Sequence, residues 1–175
     1  MKCLTNTESE EFARSMGISL DRNVPTLIAD APPSSARVKI PLSSRGQAIV
    51  ANRIFDASEE SDGWLLWARS WGIWPTEEYR EIWNAVRERY GEERFLIDAP
   101  GHHLDNTERD LARGLFRLTI LFGWDALLIT VPASFVTFVC HDELLFLYAS
   151  DRVALDRLVA DIEVSRKRWN DSAEF

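Results

Sequence analysis

Residues 126–149 read ALLITVPASFVTFVCHDELLFLYA, and this stretch decides the fold. Three apolar runs, Ala126 to Val131, Phe135 to Cys140 and Leu144 to Ala149, are separated by Pro132-Ala133-Ser134 and His141-Asp142-Glu143. Short runs of this kind, bounded by turn residues, read as strands, and a three-residue connection can only turn the chain back beside itself. The stretch therefore predicts an antiparallel three-strand meander.

Working outward, Asp105 to Phe122 predicts a helix, capped at Asn106 or Thr107 and stopped by Gly123. Leu111, Leu115, Leu118 and Phe122 fall on one side, and Phe116 and Ile120 widen it into a core-facing helix. Trp124, directly after the glycine, is expected at a domain edge. On the other flank, Ser150 or Asp151 caps a last helix carrying Leu155, Leu158, Val159 and Ile162 inward, with basic Arg166, Lys167 and Arg168 at its negative dipole end. Further upstream, Trp64-Leu65-Leu66-Trp67-Ala68 reads as a strand covered on both faces. Trp64, Trp67, Trp71 and Trp74 also stand at helical spacing, but Gly72 and the brevity of the run favour a strand. Tyr79, Ile82, Trp83, Val86 and Tyr90 make the buried stripe of the next helix, which Gly91 ends. Phe95-Leu96-Ile97 then predicts a short buried strand, and Ala99-Pro100-Gly101-His102 a type II turn.

The first sixty residues carry weaker patterns. Thr7 with Glu10 reads as a capping box for a short helix presenting Phe12 and Met16 and ending at Gly17. Val38, Ile40 and Leu42 alternate as a strand that Pro41 confines to a sheet edge. Ser43 or Ser44 caps a helix through Ala48, Ala51, Ile54 and Phe55. The whole predicts one α+β domain over 1–175, with a weakly patterned helix-and-loop part over 1–62 and a well-patterned core over 63–168. The expected sheet is mixed, of about five strands ending in the meander, with helices mainly on one face.

Composition narrows the function classes. The 175 residues are 46% hydrophobic and 27% charged, which excludes disorder, and no apolar run reaches the length of a membrane-spanning helix. The amino terminus, with Glu8, Glu10 and Glu11, does not read as a secretory signal. Two cysteines, Cys3 and Cys140, stand in no spaced motif, which fits a reducing, cytoplasmic setting. Net charge is −8, with basic residues interleaved among acids rather than segregated. A phosphate backbone or anionic membrane is thereby disfavoured, and a basic protein partner is permitted.

Enzyme signatures are scarce. There is no glycine-rich phosphate loop and no G-x-S-x-G elbow. Cys140, at a predicted strand end, should point away from its neighbour His141 and be buried and inert. The chemistry-bearing residues left are His102 and His103 after the Pro-Gly turn, and His141 in the last tight connection, with Asp98, Asp142 and Glu143 near them in sequence. Should those loops converge, His102, His103, His141, Asp142 and Glu143 are the candidate catalytic groups of an acid-base or metal-dependent hydrolase. Asp98, His102, His103 and His141 are the candidate ligands of a divalent metal. No other cofactor is predicted. Among the seven tryptophans, Trp71 and Trp74 flank Gly72 and precede Pro75 where the chain leaves its strand, so they are the candidate binding residues.

Trp71-Gly72-Ile73-Trp74-Pro75, Ala99-Pro100-Gly101-His102, Leu121-Phe122-Gly123-Trp124-Asp125 and His141-Asp142-Glu143 together resemble segments of a group of small bacterial proteins to which no activity is attached. The resemblance covers Trp64 to Ala149. It implies a bacterial, cytoplasmic protein and carries over no catalytic residue. The leading functional expectation is a non-enzymatic interaction module, inhibitor- or immunity-like, for a basic partner. The alternatives are the histidine-loop hydrolase and a small-ligand sensor with a pocket lined by Trp71 and Trp74.

Overall fold

The computed structural model describes residues 1–21, 28–30, 32–70 and 77–170. The meander forms as the sequence reads: β7 (Asp125–Val131), β8 (Phe135–Cys140) and β9 (Leu144–Ala149) pair antiparallel in succession. Thr130 fastens the first turn, its buried hydroxyl donating to Pro132 O (2.8 Å) and accepting from Phe135 N–H (2.9 Å). On the far side of β7 lies β5 (Gly63–Ser70), then β6 (Gly101–Asp105) and β1 (Lys2–Leu4). At the opposite edge β4 (Ser34–Lys39) pairs with β9. The sheet runs β1-β6-β5-β7-β8-β9-β4, seven strands with every pairing antiparallel. The α+β class holds. The expected mixed sheet of about five strands becomes seven antiparallel ones, because Lys2–Leu4 and Gly101–Asp105, neither of them read as a strand, join it as β1 and β6. A separate two-stranded ribbon joins β2 (Ser19–Leu20) to β3 (Ile28–Asp30).

Helices lie mainly on one face. There α2 (Ser44–Ala57), α3 (Glu77–Glu88), α4 (Arg109–Leu121) and α5 (Arg152–Asn170) bury Val50, Ile54, Phe55, Trp83, Leu115, Phe116, Leu155 and Ile162 against Trp64, Leu66, Leu128, Val139 and Leu147. Alternation sends Leu65, Trp67, Leu127, Ile129, Val136 and Phe138 to the other face, where α1 (Asn6–Ser15) contributes Ala13 and Phe12. Trp67 donates from Nε1 to Asn6 Oδ1 (3.0 Å), tying α1 to the central strand. Ser43 caps α2 as expected, accepting Gly46 N–H.

Several local readings change. The first capping box is Thr5 with Glu8 rather than Thr7 with Glu10. The Asp105–Phe122 segment is not one helix: Asp105 ends β6 and caps a 3-10 turn (Asn106–Glu108) that leads into α4. Phe95-Leu96-Ile97 is a turn, not a strand. Asp98 and Ala99 N–H both donate back to Phe95 O, so Phe95 and Ile97 point to solvent while Leu96 is buried. On α3 the buried line is Trp83 and Arg87, whereas Ile82, and Tyr90 in the turn just past the helix, are exposed. Trp124 is not at an edge. It is buried between the rings of Trp83 and Phe122, at 5.3 and 5.5 Å.

Candidate functional site

The three histidines divide between structural duty and the sheet end. His102 and His103 are consecutive residues of β6, so their rings leave opposite faces of the sheet and share no ligand position. His102 is fully buried. Its Nε2 accepts from Trp83 Nε1–H at 3.0 Å, and Nδ1 donates to Leu66 O at 3.3 Å. Burial first, and then the nearby Arg87 guanidinium, push its pKa down to about 3, so the ring is a neutral core group. His103 lies on the α1 face with its ring 4.7 Å from Phe12, and its pKa is lowered by burial and then by Lys2. Three strand spacings separate His102 on β6 from the end of β8, about 14 Å across the sheet. The convergence on which the histidine-loop hydrolase depended is not what this topology produces. Asp98 is exposed on the turn before β6, whereas His102 is fully buried. Trp71 and Trp74 lie outside the described residues.

His141 is different. It occupies the turn between β8 and β9, past the end of strand alternation, and is joined there by a residue that sequence spacing did not link to it. Asp125 opens β7 with its carboxylate buried, and Oδ1 accepts both the His141 backbone N–H (2.8 Å) and the ring Nδ1–H (2.8 Å). That carboxylate raises the imidazole pKa by hydrogen bonding and by charge. Asp142 Oδ1 stands 3.7 Å from Nε2. Cys140 is half-buried, not sealed in the core, and its thiol lies 3.8 Å from Asp142 Oδ2. Desolvation comes first in raising the thiol pKa, with the Asp125 and Asp142 charges adding to it. A protonated thiol among carboxylates is a poor free nucleophile. Glu143 completes the turn in the left-handed region (φ 60°) and gives its carbonyl to Ile40 N–H.

This cluster opens into a pocket of about 260 Å³ lined by Ile40, Leu42, Gln47, Leu121, Cys140, His141 and Glu143. Its wall combines the apolar side chains of Ile40, Leu42 and Leu121 with the polar groups of Gln47, His141 and Glu143. Gln47 Oε1 is buried there without a hydrogen-bond partner among the described residues. A buried Asp at the head of an apolar strand was the legible signal for the site, since such a charge requires a partner.

A second arrangement sits beside β6 and β1, further along the strand order. Arg87 is buried, donating from Nη1 to Asn84 Oδ1 (3.1 Å) and from Nη2 to the carbonyls of Ala99 (3.1 Å) and Phe95 (3.5 Å). Arg94 clasps Glu92 (2.6 Å), holding its carboxyl well below the usual range, and reaches Cys3 O (3.2 Å) on β1. The turn over 92–99 is thus fixed at both ends while presenting Phe95 (69% exposed) and Ile97 (63% exposed) outward.

Comparison with protein-family models, with curated proteins and with solved structures gave no match. Among the described residues, no helix is long and apolar enough to cross a membrane.

Proposed function

We propose that this chain is a non-enzymatic interaction module, an inhibitor- or immunity-like protein of the bacterial cytoplasm, whose partner is a basic protein rather than a nucleic acid. The observation that carries the reading is the 92–99 turn. Burying an arginine without a carboxylate partner is unfavourable; among the described residues Arg87 has none, and its guanidinium holds the Phe95 and Ala99 carbonyls of the turn that carries two solvent-facing apolar side chains. Large apolar groups on a pre-organised turn are what an interface anchor requires, because little ordering entropy is left to lose on binding. Glu81, Glu92, Glu93 and Asp98 stand at this turn among Arg80, Arg87 and Arg94, and the chain as a whole carries −8. Electrostatic steering toward a basic surface follows. Trp71 and Trp74, immediately ahead of α3, are the proposed further anchors.

The test is affinity capture from the native cell with the unaltered chain and with a Phe95→Ala/Ile97→Ala variant. Both side chains are exposed, so the variant keeps the fold. The expected partner is basic, is lost with the double variant, and associates more slowly as salt rises, because screening shortens steering to about 8 Å at physiological ionic strength. An acidic partner, or one held equally by the variant, would overturn the reading.

A further inference from the structure

We propose that Asp125, Cys140 and His141 form a zinc site at the β8–β9 turn. A carboxylate oxygen of Asp125, the Cys140 sulfur and an imidazole nitrogen of His141 lie within 4.8 Å of one another. Zinc bonds to these three donor types measure about 2.0–2.3 Å, which sets tetrahedral ligand atoms roughly 3.3–3.6 Å apart. The donors thus stand about an ångström from a coordination shell, within reach of side-chain rotation. The set is also chemically selective. Magnesium and calcium take oxygen donors, whereas mixed sulfur, nitrogen and oxygen suit zinc.

The frame that holds them is independent of any ion. Asp125 is anchored at the head of β7, and the His141 backbone N–H occupies its Oδ1. When zinc binds at Nδ1, the proton that now faces Asp125 Oδ1 (2.8 Å) and Oδ2 (3.0 Å) passes to Nε2 of a neutral ring or to solvent from a charged one, and the Cys140 proton leaves to solvent as the thiolate forms. Asp142 adds negative charge beside the sulfur. Three protein ligands leave a fourth position, and Cys140 and His141 line the pocket in which Gln47 Oε1 has no hydrogen-bond donor among the described residues. That is the arrangement in which zinc keeps water or an exogenous ligand.

The proposal does not rest on the interaction reading, which concerns the 92–99 turn. Its test is titration of the purified, reduced chain with Zn²⁺ by calorimetry and with Co²⁺ by absorption. One equivalent is expected, with a thiolate-to-cobalt charge-transfer band in the near ultraviolet. Cys3→Ser should keep the band and Cys140→Ser should abolish it. His141→Gln should weaken affinity by about tenfold or more, the scale on which even indirect partners of a metal act. Cys140 is half-buried and the serine change is small, so circular dichroism can verify the fold of that variant. Absence of the band, its survival in Cys140→Ser, or unchanged affinity in His141→Gln would each overturn the site.

Discussion

At the scale of single residues, His102 is the group whose chemistry has the clearest outward sign. Its folded pKa of about 3 lies below the ordinary 6.5, so between those values the unfolded chain binds a proton that the folded chain refuses. Stability is therefore full above pH about 6.5 and is lost as pH falls, by about 2 kcal/mol at pH 5. His103 is shifted the same way and adds to this loss, while His141, raised by Asp125, opposes it. Denaturant unfolding at pH 7 and pH 5 should show the decrease, and imidazole NMR should find His102 untitrated throughout. A His102 midpoint near pH 6 would contradict the assignment. The sequence placed His102 in a loop because Pro100 and Gly101 look like a turn. What it could not display is that Gly101 is required by packing: a side chain there would strike Ser9 of α1, so the glycine begins a strand under a helix instead of bending the chain.

At the scale of elements, legibility followed the number of constraints per residue. The meander was readable because each strand is buried on at least one face and each turn is three residues long. Helix α2 was readable from its serine cap. Helix α3 was only half readable: Trp83 is buried as its stripe implied, but the next buried turn is Arg87, and no hydrophobic periodicity announces a buried guanidinium. Its partners are carbonyls of a turn that apolar content had marked as a strand. The Asp125–His141 pair was hidden for the same reason, since it depends on which strands align across sixteen residues of chain. The role given to Arg87 predicts that Arg87→Met speeds hydrogen exchange at Asp98 and Ala99 by about tenfold or more, as the Phe95 and Ala99 carbonyls lose a charged donor. The Trp83 indole resonance, still bonded to His102, should move little. Unchanged exchange would mean that the turn holds itself.

At the scale of the molecule, the weakly patterned first third is what closes the sheet. β1 covers β6, and β4 covers β9 while exposing Arg37 and Lys39 along the outer edge, charges of the kind that discourage further pairing. A fragment spanning 63–168 would keep the best-patterned residues yet bare both flanks, including the apolar Leu144–Ala149 strand. It is expected to self-associate in size-exclusion chromatography under conditions where the whole chain does not; a folded, monomeric fragment would refute this. The same strand order has a temporal side. On the ribosome β4 is finished about 110 residues before β9, its sole neighbour in the sheet, a delay of roughly 5–20 s at ordinary elongation rates. For that interval the nascent chain carries an unmated strand, and the sheet can be sealed only when the last of the meander has been synthesised.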